Sequence, residues 1–138
     1  MTADPYSSWS DDDLASLAHG FRDDLYSGQV ALVTGGAGGI GRAICMLLSR
    51  LGAQVVTCGR DEGKLNELQG SFARQDVEVF AIPANVRDPE EVEALLSDTW
   101  SKFGRLDLVV NNAGGQFAAP ATDISPKGWA AVLETNLY

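Results

Sequence analysis

Histidine and cysteine are scarce in this chain of 138 residues. His19 is the only histidine, and Cys45 and Cys58 are the only cysteines. Protein metal sites of the zinc type need several such side chains at close spacing, so no metal site is expected. Because both cysteines lie in apolar stretches, we predict that they are buried free thiols, which suit a reducing compartment.

Positive charge and long apolar runs are also scarce. The chain has 10 Lys and Arg against 19 Asp and Glu, a formal net charge of −9 at pH 7. Nucleic acids and anionic membranes bind basic patches, so we expect neither as a partner. No apolar run approaches the length of a membrane span, and the acidic start MTADPYSSWSDDD lacks the basic and apolar regions of a signal peptide. We therefore expect a soluble intracellular protein.

Four apolar runs alternate with helical patterns along most of the chain. The runs QVALVT, AQVVTC, VEVFAI and LDLVVN are continuous, as in strands buried on both faces. Helix signals separate them: Gly52 ends the first helix, Asp61 caps the second, and Gly104 ends the third. We predict an α/β fold, a Rossmann-type doubly wound parallel sheet of strand order 3-2-1-4 without the later strands.

Capping signals also mark three helix starts. Asp88, Pro89 and Glu91 form a capping box before the third interstrand helix, and Ser125 with Pro126 begins a last helix. Near the start of the chain, Ser10 and Asp13 form another box. The helical face predicted to follow it comprises Leu14, Leu17, Ala18, Phe21 and Leu25. We divide the chain into an acidic N-terminal arm with a short helix, residues 1–27, and the N-terminal part of a nucleotide-binding domain, residues 28–138.

The stretch ALVTGGAGGIGRA joins the first strand to the first interstrand helix. A nucleoside-triphosphate loop is disfavoured, because Arg42 and Ala43 stand where its lysine and hydroxyl residue belong. Two dinucleotide patterns remain: GxGxxG at Gly36, Gly38 and Gly41, and TGxxxGxG at Thr34, Gly35, Gly39 and Gly41. Both place a pyrophosphate against backbone N–H groups at a helix N-terminus.

The end of the second strand, CGRD, bears on the choice of cofactor. Arg60 follows Gly41 by nineteen positions. An arginine there suits the 2′-phosphate of NADP, whereas an acidic residue suits the ribose of NAD. We predict NADP(H); Asp61 keeps NAD(H) open, although we assign this residue to capping the next helix.

Three motifs in order, TGxxxGxG, ANV and NNAG, resemble those of the short-chain dehydrogenase/reductase family over residues 28–138. The loop NNAGGQFAAPATDISPKGWAAVLETNL resembles that of peroxisomal-type trans-2-enoyl-CoA reductases. It is also similar to that of 2,4-dienoyl-CoA reductases, which share the lead-in FRDDL. Gln116, Phe117 and Asn85 favour the enoyl-CoA reductases of the two.

The resemblance implies a role for each matching position. Gly35, Gly39, Ile40 and Gly41 would hold the pyrophosphate, Arg60 the 2′-phosphate, Asn85 and Val86 the adenine, and Asn112, Ala113 and Gly114 the ribose and nicotinamide side. Gln116 and Phe117 would face an acyl-CoA-type substrate, and Asn136 would support the water-linked proton relay of the family's catalytic tetrad. The resemblance also implies a homo-oligomeric full-length parent in the cytoplasm or the peroxisome.

The other half of that tetrad is missing from the sequence. The family needs a tyrosine followed four residues later by lysine, yet Tyr6, Tyr26 and Tyr138 have no such partner. The fourth strand would also remain an apolar edge. We therefore expect the N-terminal part of a longer reductase, inactive alone. Two alternatives stay open: a non-catalytic short form that binds a dinucleotide or docks on a partner, and a short-chain alcohol dehydrogenase for another carbonyl substrate.

Overall fold

A four-stranded parallel sheet forms the centre of the protein. The computed structural model describes residues 9–116 and 119–137. The strands are β1 (Val30–Thr34), β2 (Gln54–Gly59), β3 (Val79–Pro83) and β4 (Leu108–Val110). Their spatial order is β3-β2-β1-β4, and all three pairings are parallel. This confirms the predicted doubly wound fold and its strand order.

Helices connect the strands and precede them. They are α1 (Asp11–Ser16), α2 (Gly39–Arg50), α3 (Glu62–Ala73), α4 (Pro89–Phe103) and α5 (Pro126–Asn136), with a short 3-10 helix at Ala121–Asp123. No helix within the described part of the chain has both the length and the apolarity needed to cross a membrane.

The sheet is covered on both faces, as its continuous apolar strands predict. Alternate residues of a strand point to opposite faces. Ala31 and Val33 of β1 therefore pack in one cluster with the α2 and α3 side chains, which include Met46 and Phe72. Val30 and Leu32 pack in a second cluster with Leu95 of α4. All five residues of β1 are buried, so the strand that leads into the glycine loop is held from both sides.

The observed helix ends agree with those predicted from the sequence, with two differences. The side chains of Asp61, Asp88 and Ser125 accept hydrogen bonds from the first-turn N–H groups of their helices. Glu91, however, does not complete a box with Asp88, because its carboxylate accepts from the Asn85 backbone N–H at 2.7 Å.

The second difference concerns α1. Its capping box between Ser10 and Asp13 is present. The helix nevertheless ends at Ser16, although the apolar periodicity predicts that it continues to Leu25. The Arg50 side chain donates to the Leu14 carbonyl at 2.9 Å. The backbone leaves the helical conformation at Leu17, whose ψ is 123°.

Candidate functional site

The candidate site is a cleft of about 560 Å³ at the carboxyl edge of the sheet. Residues that end or follow all four strands line it, together with Thr135 of α5. In open parallel sheets, ligands bind at this edge where the connections leave in opposite directions, here between β1 and β4. All ten residues predicted to bind the cofactor line this one cleft: Gly35, Gly39, Ile40, Gly41, Arg60, Asn85, Val86, Asn112, Ala113 and Gly114.

The glycine loop leaves β1 in a conformation that requires glycine. Gly35 has a φ of +72°, which a residue with a side chain rarely adopts. At Gly41 the constraint is close approach: an added Cβ would lie 2.4 Å from the Gly35 carbonyl oxygen and 2.5 Å from Asn112 Nδ2. The first turn of α2 therefore lies directly against the end of β1, and its N-terminus faces the cleft.

Thr34 and Asn112 join the two strands that form the floor of the cleft. The Thr34 hydroxyl accepts from the N–H groups of Asn112 and Ala113 at 3.0 and 2.9 Å. In return, Asn112 Nδ2 donates to the Thr34 carbonyl at 2.9 Å. Thr34 of the TGxxxGxG motif and Asn112 of the NNAG motif thus form one bonded unit, which fixes the glycine loop relative to the end of β4.

The cleft is cationic although the chain is strongly acidic. Arg60 and Arg87 line it, and no aspartate or glutamate does so among the described residues. Asp61 instead caps α3, where its carboxylate accepts from the Lys64 N–H at 3.1 Å. The Arg87 guanidinium is paired with Glu134 of α5. The exposed Arg60 side chain is thus placed to meet an anionic group.

Asn85 and Val86 follow β3 and line the cleft at that end of the sheet. The Asn85 N–H donates to Glu91, and its side-chain oxygen accepts from the Arg87 N–H at 3.2 Å. These two bonds hold the turn after β3 in a fixed shape beside the cleft.

Comparison with known proteins agrees with this geometry. The sequence profile of a family described as short chain dehydrogenase matches residues 29–138. The chain belongs to the short-chain dehydrogenase family. The match confirms the resemblance seen in its motifs.

Two curated relatives of the chain are longer proteins. The chain is 35% identical over 116 residues to a peroxisomal 2,4-dienoyl-CoA reductase [(3E)-enoyl-CoA-producing] of Arabidopsis thaliana, covering 84% of the chain and 39% of that protein. It is 37% identical over 109 residues to an uncharacterized oxidoreductase of Staphylococcus aureus (strain N315), covering 79% and 46%. The chain thus spans less than half the length of these relatives.

Solved structures of short-chain dehydrogenases share the fold. A citronellol catabolism dehydrogenase from Pseudomonas aeruginosa PAO1 aligns with a TM-score of 0.78 at 38% identity, over 85% of this chain and 48% of that one. A metagenomic short-chain oxidoreductase in complex with NADP aligns with a TM-score of 0.69 at 36% identity, over 78% and 49%. Nicotinamide dinucleotides are the cofactors of this family.

Two further predicted site residues of this short-chain dehydrogenase, Asn136 and Gln116, are not among the residues that line the cleft. Asn136 Nδ2 donates to the carbonyls of Gly115 and Val132 at 2.8 and 2.6 Å, and its oxygen accepts from the Gly115 N–H at 3.3 Å. Its amide therefore holds the turn after β4; a part in a proton relay stays a prediction. Gln116 is exposed, and Phe117 lies outside the described residues.

Arg87 and Thr135 line the cleft but were not predicted from the sequence. Arg87 directly follows the ANV motif at the carboxyl end of β3, and that position could have indicated it. Thr135 precedes Asn136 on α5, and only the packing of that helix places it at the cleft.

The two cysteines are buried and unbridged, as predicted. Burial raises the pKa of the Cys45 thiol to about 12 and raises the pKa of Cys58 as well. Neither thiol is suited to act as a nucleophile near neutral pH. Within residues 9–116 and 119–137, no cluster of three or more metal-binding side chains occurs.

Proposed function

We propose that this chain is the cofactor-binding part of an NADP(H)-dependent short-chain oxidoreductase that reduces the double bond of a fatty 2-enoyl-CoA. The observation that carries the cofactor preference is Arg60, exposed at the carboxyl end of β2 on a cleft whose described lining has no carboxylate. Asp61, the residue that would favour NAD, is occupied as the cap of α3. The similar structure in complex with NADP supports the same preference.

The residues of the cleft fit a dinucleotide in three respects. The glycine loop offers N–H groups at the start of α2, Asn112 and Ala113 are fixed by Thr34, and Gly38 and Gly39 carry no side chain on the open side. When bound, the cofactor would supply a hydride. The chain's own residues would bind the pyrophosphate, hold the 2′-phosphate at Arg60 and orient the ribose beside Gly114.

The substrate class is supported by the relatives. The first is named a dienoyl-CoA reductase, and the motif GGQF with Asn85 resembles the enoyl-CoA reductases. The similarity to a citronellol catabolism dehydrogenase supports the alternative of an alcohol or carbonyl substrate. Because Y-x-x-x-K is absent from the sequence, we propose that the 138 residues bind nucleotide without turnover.

Titration with NADPH and NADH tests the cofactor preference. A charged hydrogen bond to the 2′-phosphate contributes about 1.5–3 kcal/mol, so NADPH should bind about 10- to 100-fold tighter than NADH. Arg60→Ala should remove that difference by weakening NADPH alone. The control Arg22→Ala removes an exposed arginine that pairs with Asp24 away from the cleft, and it should change neither affinity. Equal affinities of the unaltered chain for both nucleotides would contradict the proposal.

The intact mass of the protein in its source cells separates the reductase from the short form. A mass above 14.6 kDa supports a longer enzyme, which should then oxidise NADPH with a 2-enoyl-CoA. Turnover with an alcohol or a simple carbonyl compound, and none with the thioester, would favour the alternative substrate. A mass of 14.6 kDa would favour the non-catalytic binding module.

A further inference from the structure

Asp11 of the N-terminal arm joins three helices at one carboxylate. Its oxygens accept from Nε and Nη2 of Arg42 on α2 at 2.7 and 2.5 Å, and from the Ser71 hydroxyl on α3. The side chains of Asp11 and Arg42 are only 9% and 20% exposed, so this ion pair is sheltered from water. The bond to Arg42 is also the main cause that lowers the pKa of Asp11.

Arg42 extends from this pair to the glycine loop. Its Nη1 lies 3.5 Å from the Ala37 carbonyl oxygen, a long contact, and its backbone N–H donates to the Gly38 carbonyl at 3.2 Å. The guanidinium lies 5.7 Å from the centre of the buried Phe72 ring. Asp11 thus holds one side of the guanidinium while the loop backbone lies on another.

The tip of this loop is open on the side where side chains would lie. Apart from the adjoining residues and, for Gly39, the backbone of α2 itself, no described atom lies within 4 Å of a Cβ built on Gly38 or Gly39. Glycine-rich backbone loses much conformational entropy when it is ordered. Asp11 binds the fork of Arg42 through two nitrogens and thereby orients the third, Nη1, toward the Ala37 carbonyl.

We propose that Asp11 is a positioning residue for the dinucleotide: through Arg42 it fixes residues 37–39, so that their N–H groups are presented to the pyrophosphate. This inference rests on the nucleotide-binding function proposed above. Asp11 would then contribute to the cofactor site, although it precedes β1 in the sequence.

Charge alone predicts the opposite effect on binding. The Asp11–Arg42 pair is neutral as a unit, and removing the carboxylate leaves one additional positive charge near an anionic ligand. If that charge dominated, Asp11→Asn would bind the nucleotide more tightly. If positioning dominates, Asp11→Asn binds it more weakly, so the direction of the change separates the two.

The test measures the dissociation constant of NADPH well below the melting temperature of each variant. Asp11→Asn should weaken binding about three- to tenfold, whereas Asp11→Glu should restore it to within about twofold. Asp12→Asn is the matched control, because Asp12 lies on the same helix with the same charge and pairs with Gln75 instead. The double variant Asp11→Asn/Arg42→Gln should bind no more weakly than Arg42→Gln. Unchanged or tighter binding by Asp11→Asn, even with a lowered melting temperature, would overturn the proposal.

A readout without nucleotide separates this inference from the function on which it rests. Hydrogen–deuterium exchange of the peptide covering residues 35–45 should be faster in Asp11→Asn than in the unaltered chain or in Asp12→Asn. Exchange at the same rate would overturn the positioning of the loop. Failure of the unaltered chain to bind either NADPH or NADH would instead overturn the proposed function, while the exchange rates still decide whether Asp11 holds the loop.

Discussion

At the scale of the residue, the cleft depends on how closely Gly41 approaches the end of β1. A side chain at this position would meet the Gly35 carbonyl and the Asn112 amide at 2.4 and 2.5 Å, and backbone cannot yield as a flexible side chain can. Gly41→Ala should therefore displace α2 from Asn112. We expect a loss of about 1–3 kcal/mol in the free energy of unfolding, measured in urea, and a more than roughly tenfold loss of NADPH affinity.

Gly20→Ala is the control for this substitution. Among the described residues, no atom beyond its chain neighbours lies within 4 Å of the added Cβ, and Gly20 has no positive φ. The free energy of unfolding of the Gly20→Ala variant should differ from that of the unaltered chain by no more than about 0.5 kcal/mol. If Gly41→Ala bound NADPH like the unaltered chain, the close approach would not be needed for the cleft.

Residues of the site differ in how far the sequence reveals them. The glycine spacing and Arg60 could be predicted because each motif is local and its backbone requirements are met within a few residues. The pairing of Asp11 with Arg42 spans 31 positions and depends on how α1 packs. Glu91 is instructive in the same way: its spacing from Asp88 predicts a cap, but the turn after β3 brings the Asn85 N–H within its reach.

At the scale of the element, α3 contains a glycine that lowers the stability of the helix. Gly70 lies inside this helix and is exposed, and the described structure leaves open space where its Cβ would be. Glycine in a helix interior is less favourable than alanine by about 0.5–1 kcal/mol, because it loses more backbone freedom on folding. Gly70→Ala should therefore raise the free energy of unfolding by about that amount, with nucleotide affinity unchanged.

Gly52→Ala is the opposite case and the matched control. Gly52 follows α2 with a φ of +90°, and an added Cβ would lie 3.2 Å from the Ser27 backbone. The substitution should lower the free energy of unfolding by about 1–2 kcal/mol. If Gly70→Ala and Gly52→Ala changed the free energy of unfolding in urea equally, the backbone conformation of these two glycines would not determine the effect.

The sequence predicts whether an element is a helix or a strand better than it predicts where that element ends. Caps and glycines bound α2, α3 and α4 as their signals predict, because those signals act within one turn. The end of α1 lies beside Arg50, a residue of another helix that donates to the Leu14 carbonyl. Periodicity within residues 14–25 therefore could not indicate where that helix ends.

At the scale of the whole molecule, one border of the sheet is apolar and accessible. Among the described residues, β4 pairs only with β1, and Val109 at its centre is 47% exposed. The neighbouring elements α4 and α5 carry Trp100 and Trp129, which are 61% and 59% exposed. The sequence predicted the apolar edge, because LDLVVN is as continuous as the inner strands although it ends the order 3-2-1-4.

An exposed apolar strand edge offers unpaired backbone groups to another chain. The 138-residue chain should therefore associate as its concentration rises, and sedimentation velocity should show the change in mass. Val109→Lys should reduce this association, because a charged side chain at an edge disfavours pairing. Asn66→Lys adds the same charge on the exposed side of α3 and should leave association unchanged. If both lysine variants reduced association equally, net charge rather than the β4 edge would control it, since each lowers the chain's negative charge by one.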